Sequence, residues 1–258
     1  DQGVGYMEDF NTAGAMGTLL RELQSLLHLD CPTVTGETLG ERLQAAPGFV
    51  DRTIIRSREE PFEDVGGLVA LFGNLAPDGA ILKRSAADPT LFESTGRAVV
   101  FTSLEDLAER IDSDDLDVKA DDVLVLQNAG PKSPSGMPEA GYIPIPKKLA
   151  RAGIKDMVRI SDCRMSGTAF GTIVLHVTPE TTVGGPIGLV QNGDEIRLSI
   201  SNKSLDLLVD DQELERRRRT TPLKPATPAR GYAKLYADHV TQAGQGADFD
   251  FLMAPTKA

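Results

Sequence analysis

The spacing of apolar residues along the chain changes near residue 60. Before that point apolar side chains recur every three or four residues, a pattern that is typical of one face of an amphipathic helix. They are Met16, Leu19, Leu20, Leu23, Leu26 and Leu27. A second helix is expected to begin at Thr38, because Thr38 and Glu41 have the spacing of a capping box. Residues 1–60 are therefore predicted to form a helical segment.

Beyond residue 61 the apolar residues stand in short runs, as they do in β-strands. The clearest runs lie at 98–101, 122–130, 155–161 and 171–177. Residues 196–200 alternate between apolar and polar, which predicts a strand whose solvent side carries Arg197 and Ser199. The turn-forming residues at 191–194 precede that strand.

Helices are expected between and after these strands. Ser103 has the position of an N-cap, and residues 104–111 follow it with helical spacing. Residues 220–231 form a proline-rich connector to a last helical stretch at 232–240. The predicted fold class for residues 61–258 is mainly β with flanking helices (α+β), of β-barrel or sandwich type.

Composition and charge narrow the functional classes. The chain has 258 residues, a formal net charge of -11 and no Trp. Such a surface repels phosphate backbones and offers few rings for base stacking, so we expect no nucleic-acid partner. Because no apolar run could cross a bilayer and the first residues lack the order of a secretory signal, we expect no membrane association and a cytoplasmic location. Two cysteines are too few to hold an iron–sulfur cluster or structural zinc by themselves.

Two loops carry candidate chemistry. The first spans residues 128–146 and has Glu139 as its single carboxylate, which on its own is typical of a solvated loop acid. The second contains Ser166, Gly167 and Thr168, where the glycine would let the backbone turn tightly and present its N–H groups beside a hydroxyl. Hydroxyls in turns more often cap backbone groups than react. No Gly-x-Ser-x-Gly motif surrounds Ser166, so a hydrolase nucleophile elbow is a poor match.

Four long segments carry a resemblance to a known family. They are GGLVALFGNLAPDGAILK at 66–83, NAGPKSPSGMPEAG at 128–141, ISDCRMSGTAFGT at 160–172 and HVTPETTVGGPIGLV at 176–190. In this order and spacing they resemble the C-terminal half of the dihydroxy-acid dehydratase/6-phosphogluconate dehydratase family, and the likeness covers essentially the whole chain. The resemblance implies a C-terminal β-barrel domain at 61–258, with residues 1–60 being the end of, or the link to, a missing α/β N-terminal domain.

The resemblance also implies a reaction, the dehydration of a 2,3-dihydroxy carboxylate to a 2-keto-3-deoxy acid by a hydro-lyase. The family uses an iron–sulfur cluster, held by the absent N-terminal half, to bind the departing hydroxyl. It uses Mg²⁺ to hold the substrate carboxylate. Glu139 matches the family's metal-binding glutamate, Ser166 the serine proposed as an alkoxide base, and Thr168 a neighbouring hydroxyl. A serine can act as a base only if a cation stabilises its anion, so Ser166, helped by the amide at Gly167, is expected to converge with Glu139 on one ion.

Three neighbouring residues have structural interpretations. Arg164 is expected to tie down the loop through an ion pair, with Asp162 or another acid as its partner, although it could also add positive charge to the site. His176 stands in an apolar strand and is expected to be a satisfied core histidine. Cys163 is expected to be a small space-filler, because the family's cluster cysteines belong to the absent half.

The form RMSGTAFGT at 164–172 resembles the aldonate branch of the family, which includes arabinonate, xylonate and galactonate dehydratases. The expected substrate is therefore a small sugar acid. The expected partners are the enzyme's own N-terminal domain and further copies in a homo-oligomer, and the isolated chain is expected to be inactive. Two alternatives remain, a dihydroxy-acid dehydratase of branched-chain amino-acid biosynthesis and a non-catalytic β-barrel module for binding or assembly. The presence of Glu139, Ser166 and Thr168 favours catalysis.

Overall fold

A computed structural model describes residues 5–46, 48–221, 228 and 230–253 of the chain. It separates into two compact units, residues 1–66 and 67–258. Most of the predicted connector at 220–231 lies outside the described residues. Within the described part of the chain, no helix has both the length and the apolar character needed to cross a membrane.

The first unit contains three short helices. They are α1 Met7–Thr12, α2 Ala15–Glu22 and α3 Leu39–Ala45. The capping box of α3 is confirmed, since the Glu41 amide donates to Thr38 Oγ1 at 3.2 Å and the Thr38 amide donates to Glu41 Oε2 at 2.8 Å. The predicted continuous apolar face is wrong, because α2 ends after eight residues and both Met16 and Leu26 are more than half exposed.

The second unit contains one sheet of eight strands. They are β1 Leu68–Leu71, β2 Gly79–Lys83, β3 Glu93–Phe101, β4 Val123–Leu126, β5 Arg159–Ser161, β6 Ile173–Thr178, β7 Glu195–Ser199 and β8 Ser204–Leu207. Their order across the sheet is β1-β2-β6-β5-β4-β3-β7-β8. The central strands β3, β4, β5 and β6 are parallel neighbours, and the other neighbouring pairs are antiparallel.

The sheet curls until its two outer strands meet at a seam. Phe72, directly after β1, pairs with Ser204 at the start of β8. The Phe72 amide donates to the Lys203 carbonyl at 2.9 Å, and the Leu205 amide donates to the Phe72 carbonyl at 2.8 Å. The side-chain amide of Asn74 continues the seam, donating to the Leu207 carbonyl at 2.8 Å and accepting from the Leu207 amide at 2.7 Å. The result is a nearly closed barrel.

Four α-helices in the described part of the second unit accompany the barrel. They are α4 Leu104–Arg110, α5 Lys147–Arg151, α6 Asp211–Thr220 and α7 Gly231–His239. The predicted cap of α4 is confirmed, since the Asp106 amide donates to Ser103 Oγ at 3.2 Å. The predicted fold class, mainly β with flanking helices, is confirmed and takes the barrel form.

The parallel strands are buried on both faces. Along β4, Val123 and Val125 belong to the core cluster inside the barrel, to which all eight strands contribute. Leu124 and Leu126 belong to a second cluster on the outer face, which includes Leu107 of α4. A strand covered on both faces is apolar without alternation, as parallel strands usually are.

One predicted detail of β7 is wrong. Arg197 is exposed as expected, but Ser199 is buried. The Ser199 hydroxyl is satisfied locally, because the side-chain amide of Asn202 donates to it at 2.9 Å and the Asn202 backbone amide does so at 3.2 Å. A small polar side chain can therefore occupy a buried position at the end of this strand.

Candidate functional site

The two loops with candidate chemistry lie at one edge of the barrel. Because β4 and β5 are parallel neighbours, their carboxyl ends meet at the same edge. The loop with Glu139 follows β4, and the loop with Ser166 follows β5. The carboxyl ends of parallel strands are the usual place for ligand sites in α/β sheets. The topology therefore brings the two predicted segments side by side.

Ser166 and Thr168 face each other on the loop after β5. Their hydroxyl oxygens lie 3.0 Å apart, and the Thr168 amide donates to Ser166 Oγ at 3.4 Å. The amide that donates to Ser166 Oγ is therefore that of Thr168 and not that of Gly167, as had been expected. A serine hydroxyl reaches most easily the amide two residues further along the chain. Ser166 is half-buried and Thr168 is exposed, so a ligand can approach both hydroxyls.

Gly167 leaves open space beside Ser166. Its backbone does not adopt the left-handed conformation that favours glycine, and a Cβ built there would meet nothing within 4 Å. The expected tight turn is present, since the Ala169 amide donates to the Ser166 carbonyl at 3.1 Å, but it does not require a glycine at position 167. The loop is held by Lys83 at the end of β2, whose Nζ donates to the Gly167 carbonyl at 2.7 Å.

Glu139 is exposed on the neighbouring loop. Among the described residues it has no hydrogen-bond or ion-pair partner, so its carboxylate is available to a ligand. The two loops are joined by the Gly141 amide, which donates to the Arg164 carbonyl at 2.8 Å. Glu139 and Ser166 each stand two residues from that hydrogen bond. A Cβ at position 141 would overlap Leu175, so only glycine permits this close approach.

A buried ion pair between Arg159 and Asp156 holds both loops through hydrogen bonds. Arg159 of β5 donates through Nη2 to Asp156 Oδ1 at 2.6 Å, and its side chain is only 2% exposed. Its Nη1 donates to the carbonyls of Tyr142 at 2.8 Å and Ile143 at 3.2 Å, which hold the Glu139 loop. Asp156 Oδ2 accepts from both the amide and the hydroxyl of Thr172 at 2.8 Å, which holds the end of the Ser166 loop.

Asp162 joins three loops at the same edge. Its Oδ1 accepts from the Ala129 amide and its Oδ2 from the Thr181 amide, each at 2.9 Å. Burial raises the pKa of Asp162, although the two amides favour the ionised form. The expected ion pair between Arg164 and Asp162 is wrong, because backbone amides already occupy both carboxylate oxygens.

These buried supports were not predicted from the sequence. Arg159 stands between Val158 and Ile160 in a strand predicted to be buried, and a cation in such a place needs a carboxylate partner. That signal was available. The partner was not identifiable, because Asp156 is one of several acids nearby in the sequence.

Arg164 and His176 differ from their expected roles. Arg164 is exposed and donates through Nε to the Met137 carbonyl at 3.0 Å. His176 is half-buried, and its backbone has a φ of 55°, which is unusual for a residue other than glycine. Its ring has no hydrogen-bond partner among the described residues, so the expectation of a satisfied core histidine is wrong.

The side chains differ in how well they suit the expected cofactors. An exposed carboxylate and a hydroxyl, Glu139 and Ser166, suit the preference of Mg²⁺ for oxygen ligands. No group of three His, Cys, Asp or Glu side chains in the described part of the chain is arranged to hold a metal, so further ligands would have to come from elsewhere. The cysteines do not suit an iron–sulfur cluster, because two are fewer than the usual ligand set and one of them, Cys163, is buried. Burial raises the pKa of Cys163 to about 12, which matches its expected space-filling role.

A cavity of about 420 Å³ opens near the same edge. Its lining includes Thr102 after β3, Gln127 after β4, and Gly184, Gly185, Gly188 and Leu189 after β6. Gln127 Nε2 donates to the carbonyls of Ile187 at 2.7 Å and Val190 at 3.0 Å, which fixes one wall. Neither Ser166 nor Glu139 lines this cavity.

Comparison with known proteins identifies a matching family and several relatives. Residues 53–247 match the model of the family described as dihydroxy-acid/6-phosphogluconate dehydratase C-terminal. A 6-deoxy-6-sulfo-D-gluconate dehydratase from Pseudomonas putida is 48% identical over 255 residues, covering 98% of this chain and 44% of the relative. An L-arabinonate dehydratase from Rhizobium leguminosarum is 45% identical over 252 residues, covering 97% and 43%.

A more distant relative belongs to another branch. A dihydroxy-acid dehydratase from Syntrophobacter fumaroxidans is 39% identical over 249 residues, covering 95% of this chain and 44% of the relative. The chain therefore spans less than half the length of the curated relatives that it matches.

Proposed function

Because this chain belongs to the dihydroxy-acid/6-phosphogluconate dehydratase family as its C-terminal domain, we propose that it forms one half of a hydro-lyase. The proposed reaction removes water from a 2,3-dihydroxy carboxylate and yields a 2-keto-3-deoxy acid. The other half would be an N-terminal domain that supplies the remaining active-site groups. The isolated chain is then expected to be inactive.

The observation that carries this proposal is the pair of hydroxyls on the loop after β5. Ser166 and Thr168 are 3.0 Å apart, accessible, and placed where parallel strands end. The adjoining loop carries Glu139, an exposed acid without a partner among the described residues. A turn that needed Ser166 only as a cap would not require a second hydroxyl next to it and an available carboxylate on the adjoining loop.

Ser166 is proposed to receive the C2 proton of the substrate. Ser166 Oγ already accepts from the Thr168 amide, and once it has lost its own proton to solvent it can only accept, so the Thr168 hydroxyl can donate to it as well. Glu139 would hold Mg²⁺, which when bound supplies positive charge that stabilises oxygen anions at the site. Loss of the C2 proton and of the C3 hydroxyl gives an enol, which becomes the keto acid by gaining a proton at C3. Departure of that hydroxyl is assigned to groups outside this chain, because neither Cys31 nor Cys163 suits an iron–sulfur cluster.

A sugar acid is the proposed substrate class. The relatives named for sugar acids are 45% and 48% identical to this chain, whereas the dihydroxy-acid dehydratase is 39% identical. A dihydroxy acid with a branched carbon chain is the second candidate, supported by that same relative. The location expected for such an enzyme is the cytoplasm.

The test is replacement of Ser166 by Ala in an enzyme that contains both halves. The substitution removes one oxygen, so the fold should persist, while turnover should fall at least about a hundredfold, as expected for loss of a positioned base. Exchange of the C2 proton with solvent should fall in parallel. Exchange at the wild-type rate would leave Ser166 as a turn residue only.

Ser113 offers a matched control. Its Oγ accepts from the Asp115 amide at 3.3 Å, which is the same local contact that Ser166 makes with Thr168. Ser113→Ala should therefore reproduce the structural effect of losing a turn hydroxyl without any effect on exchange. Thr168→Ala should reduce turnover less than Ser166→Ala does, because the amide of residue 168 remains.

A further inference from the structure

A second pocket lies beside the candidate site and includes His176 of β6 in its lining. Its volume is about 320 Å³, at the lower end of the range for small-molecule sites. Met137, Arg164, His176 and Tyr236 contribute to its lining. They come from four separate parts of the chain, the loop after β4, the loop after β5, β6 and α7.

Among the described residues, most polar atoms of the side chains in this pocket have no protein partner. Only Nε of the Arg164 guanidinium is engaged, by the Met137 carbonyl, and Arg164 forms no ion pair with any described carboxylate. The His176 ring and the Tyr236 hydroxyl have no hydrogen-bond partner within the described residues either. An arginine keeps its positive charge at all ordinary pH values. All three groups therefore have polar atoms that can donate to a ligand in the same pocket.

The protonation states make these groups donors. Burial, together with the nearby Glu180 carboxylate, raises the pKa of Tyr236, so its hydroxyl keeps its proton. Burial and the charge of Arg164 lower the pKa of His176, so its ring is neutral near pH 7 and offers one N–H. A guanidinium, a phenol and an imidazole N–H together suit an acceptor with several oxygens.

Glu180, the acid whose charge acts on Tyr236, is already engaged. Glu180 is buried, and its Oε1 accepts from the Gln242 side-chain amide at 2.7 Å and from the Lys132 amide at 2.8 Å. Its carboxylate is therefore committed to groups other than Arg164. The free charge that Arg164 presents to the pocket is positive.

The pocket also has unusual backbone geometry. Met137 and His176 both have positive φ values, 56° and 55°, and neither is a glycine. Residues in this conformation are strained and persist where the surrounding structure enforces them. The hydrogen bonds from Arg164 Nε to Met137 and from the His176 amide to Cys163 supply that enforcement.

We propose that Arg164, His176 and Tyr236 form a binding site for a small oxyanion, the shared chemistry of a carboxylate, a sulfonate or a phosphate group. The oxyanion could be part of the substrate or a separate anion. Its charge would face the guanidinium, and its oxygens would accept from the phenol and the imidazole. The site stands on its own geometry and does not require that Ser166 be a base.

The test uses inorganic sulfate as the probe, because it remains a dianion around neutral pH. Sulfate is titrated into the 258-residue chain at constant ionic strength, while NMR follows the His176 ring and calorimetry follows the heat of binding. Saturable binding with a shift of the His176 resonances is expected. A pocket with a guanidinium should bind sulfate with a Kd below about 50 mM. Absence of saturable binding up to that sulfate concentration would overturn the proposal.

Variants localise the binding. Arg164→Met should weaken sulfate binding at least about tenfold, since it removes a charged donor. Arg197→Met is the matched control, because it removes the same charge from an exposed ion pair on β7 and should leave binding unchanged. Tyr236→Phe removes one oxygen and should weaken binding about threefold or more, even if Arg164→Met disturbs its loop. If Arg164→Met and Arg197→Met weakened sulfate binding equally, the effect would come from net charge alone, and the proposed site would be wrong.

The source of the oxyanion is decided in an enzyme with both halves. If the substrate supplies it, sulfate competes with substrate and Arg164→Met raises KM about tenfold or more. If a separate anion occupies the pocket, sulfate changes the rate without competing, and KM stays near its wild-type value in Arg164→Met. Either result supports the site and identifies the source of its oxyanion. If neither sulfate nor Arg164→Met changed the kinetics, the proposal would be contradicted.

Discussion

Replacement of Asp156 by Ala would test whether one buried ion pair holds both loops of the candidate site. Asp156 is 10% exposed and Arg159 is 2% exposed, so the substitution would leave a guanidinium buried without its carboxylate. Removing one partner of a buried pair costs about 3–5 kcal/mol. Thr172 would lose both of its bonds to Asp156 Oδ2 as well. The expected loss of unfolding free energy is therefore about 4 kcal/mol.

Urea denaturation, followed by circular dichroism, measures this loss. With an m-value of about 2–3 kcal/mol per M, the unfolding midpoint of the barrel unit should fall by roughly 1–2 M. Asp206→Ala is the matched control, because Asp206 pairs with Arg197 at 3.2 Å on the surface and such pairs contribute about 0–1 kcal/mol. If Asp156→Ala and Asp206→Ala had equal midpoints, the buried pair would not support the loops.

Two further predictions concern thiols and metal. In the native chain at pH 8, a thiol reagent should react with the exposed thiol of Cys31 only, because Cys163 is buried and has a pKa of about 12. In denaturant both thiols should react. Two equally fast thiols in the native chain would contradict the burial of Cys163. In an enzyme with both halves, Glu139→Gln should raise the Mg²⁺ concentration needed for half-maximal activity about tenfold or more while the urea midpoint stays near wild type, since the residue is exposed. An unchanged Mg²⁺ titration would leave Glu139 a solvated loop acid.

The sequence predicted the barrel better than it predicted the site. Strands such as β4 and helix caps such as Ser103 follow from local patterns, because burial and capping act over a few residues. The order β6-β5-β4-β3 and the seam depend on pairings between distant segments, which periodicity does not encode. The resemblance supplied the candidate residues, but it did not supply their surroundings.

The errors at the site share one physical cause. Arg164 was expected to find an acid, and His176 was expected to be satisfied in the core. Both expectations rested on the type of residue, whereas the partners depend on which backbone groups the loops bring close. Asp162 illustrates this, since two amides from the loops after β4 and β6 take the place expected for a guanidinium.

The seam of the barrel bears on how such a domain can exist apart from its neighbours. A sheet with an uncovered outer strand offers unpaired amides and carbonyls to strands of other molecules, which promotes aggregation. Here the outer edge of β8 is occupied by the backbone of Phe72 and by the side chain of Asn74. No strand borrowed from another domain is needed along that edge. If the gene of such an enzyme were split between its two halves, the half that contains this barrel would therefore already have the hydrogen-bonding groups at the edge of β8 occupied.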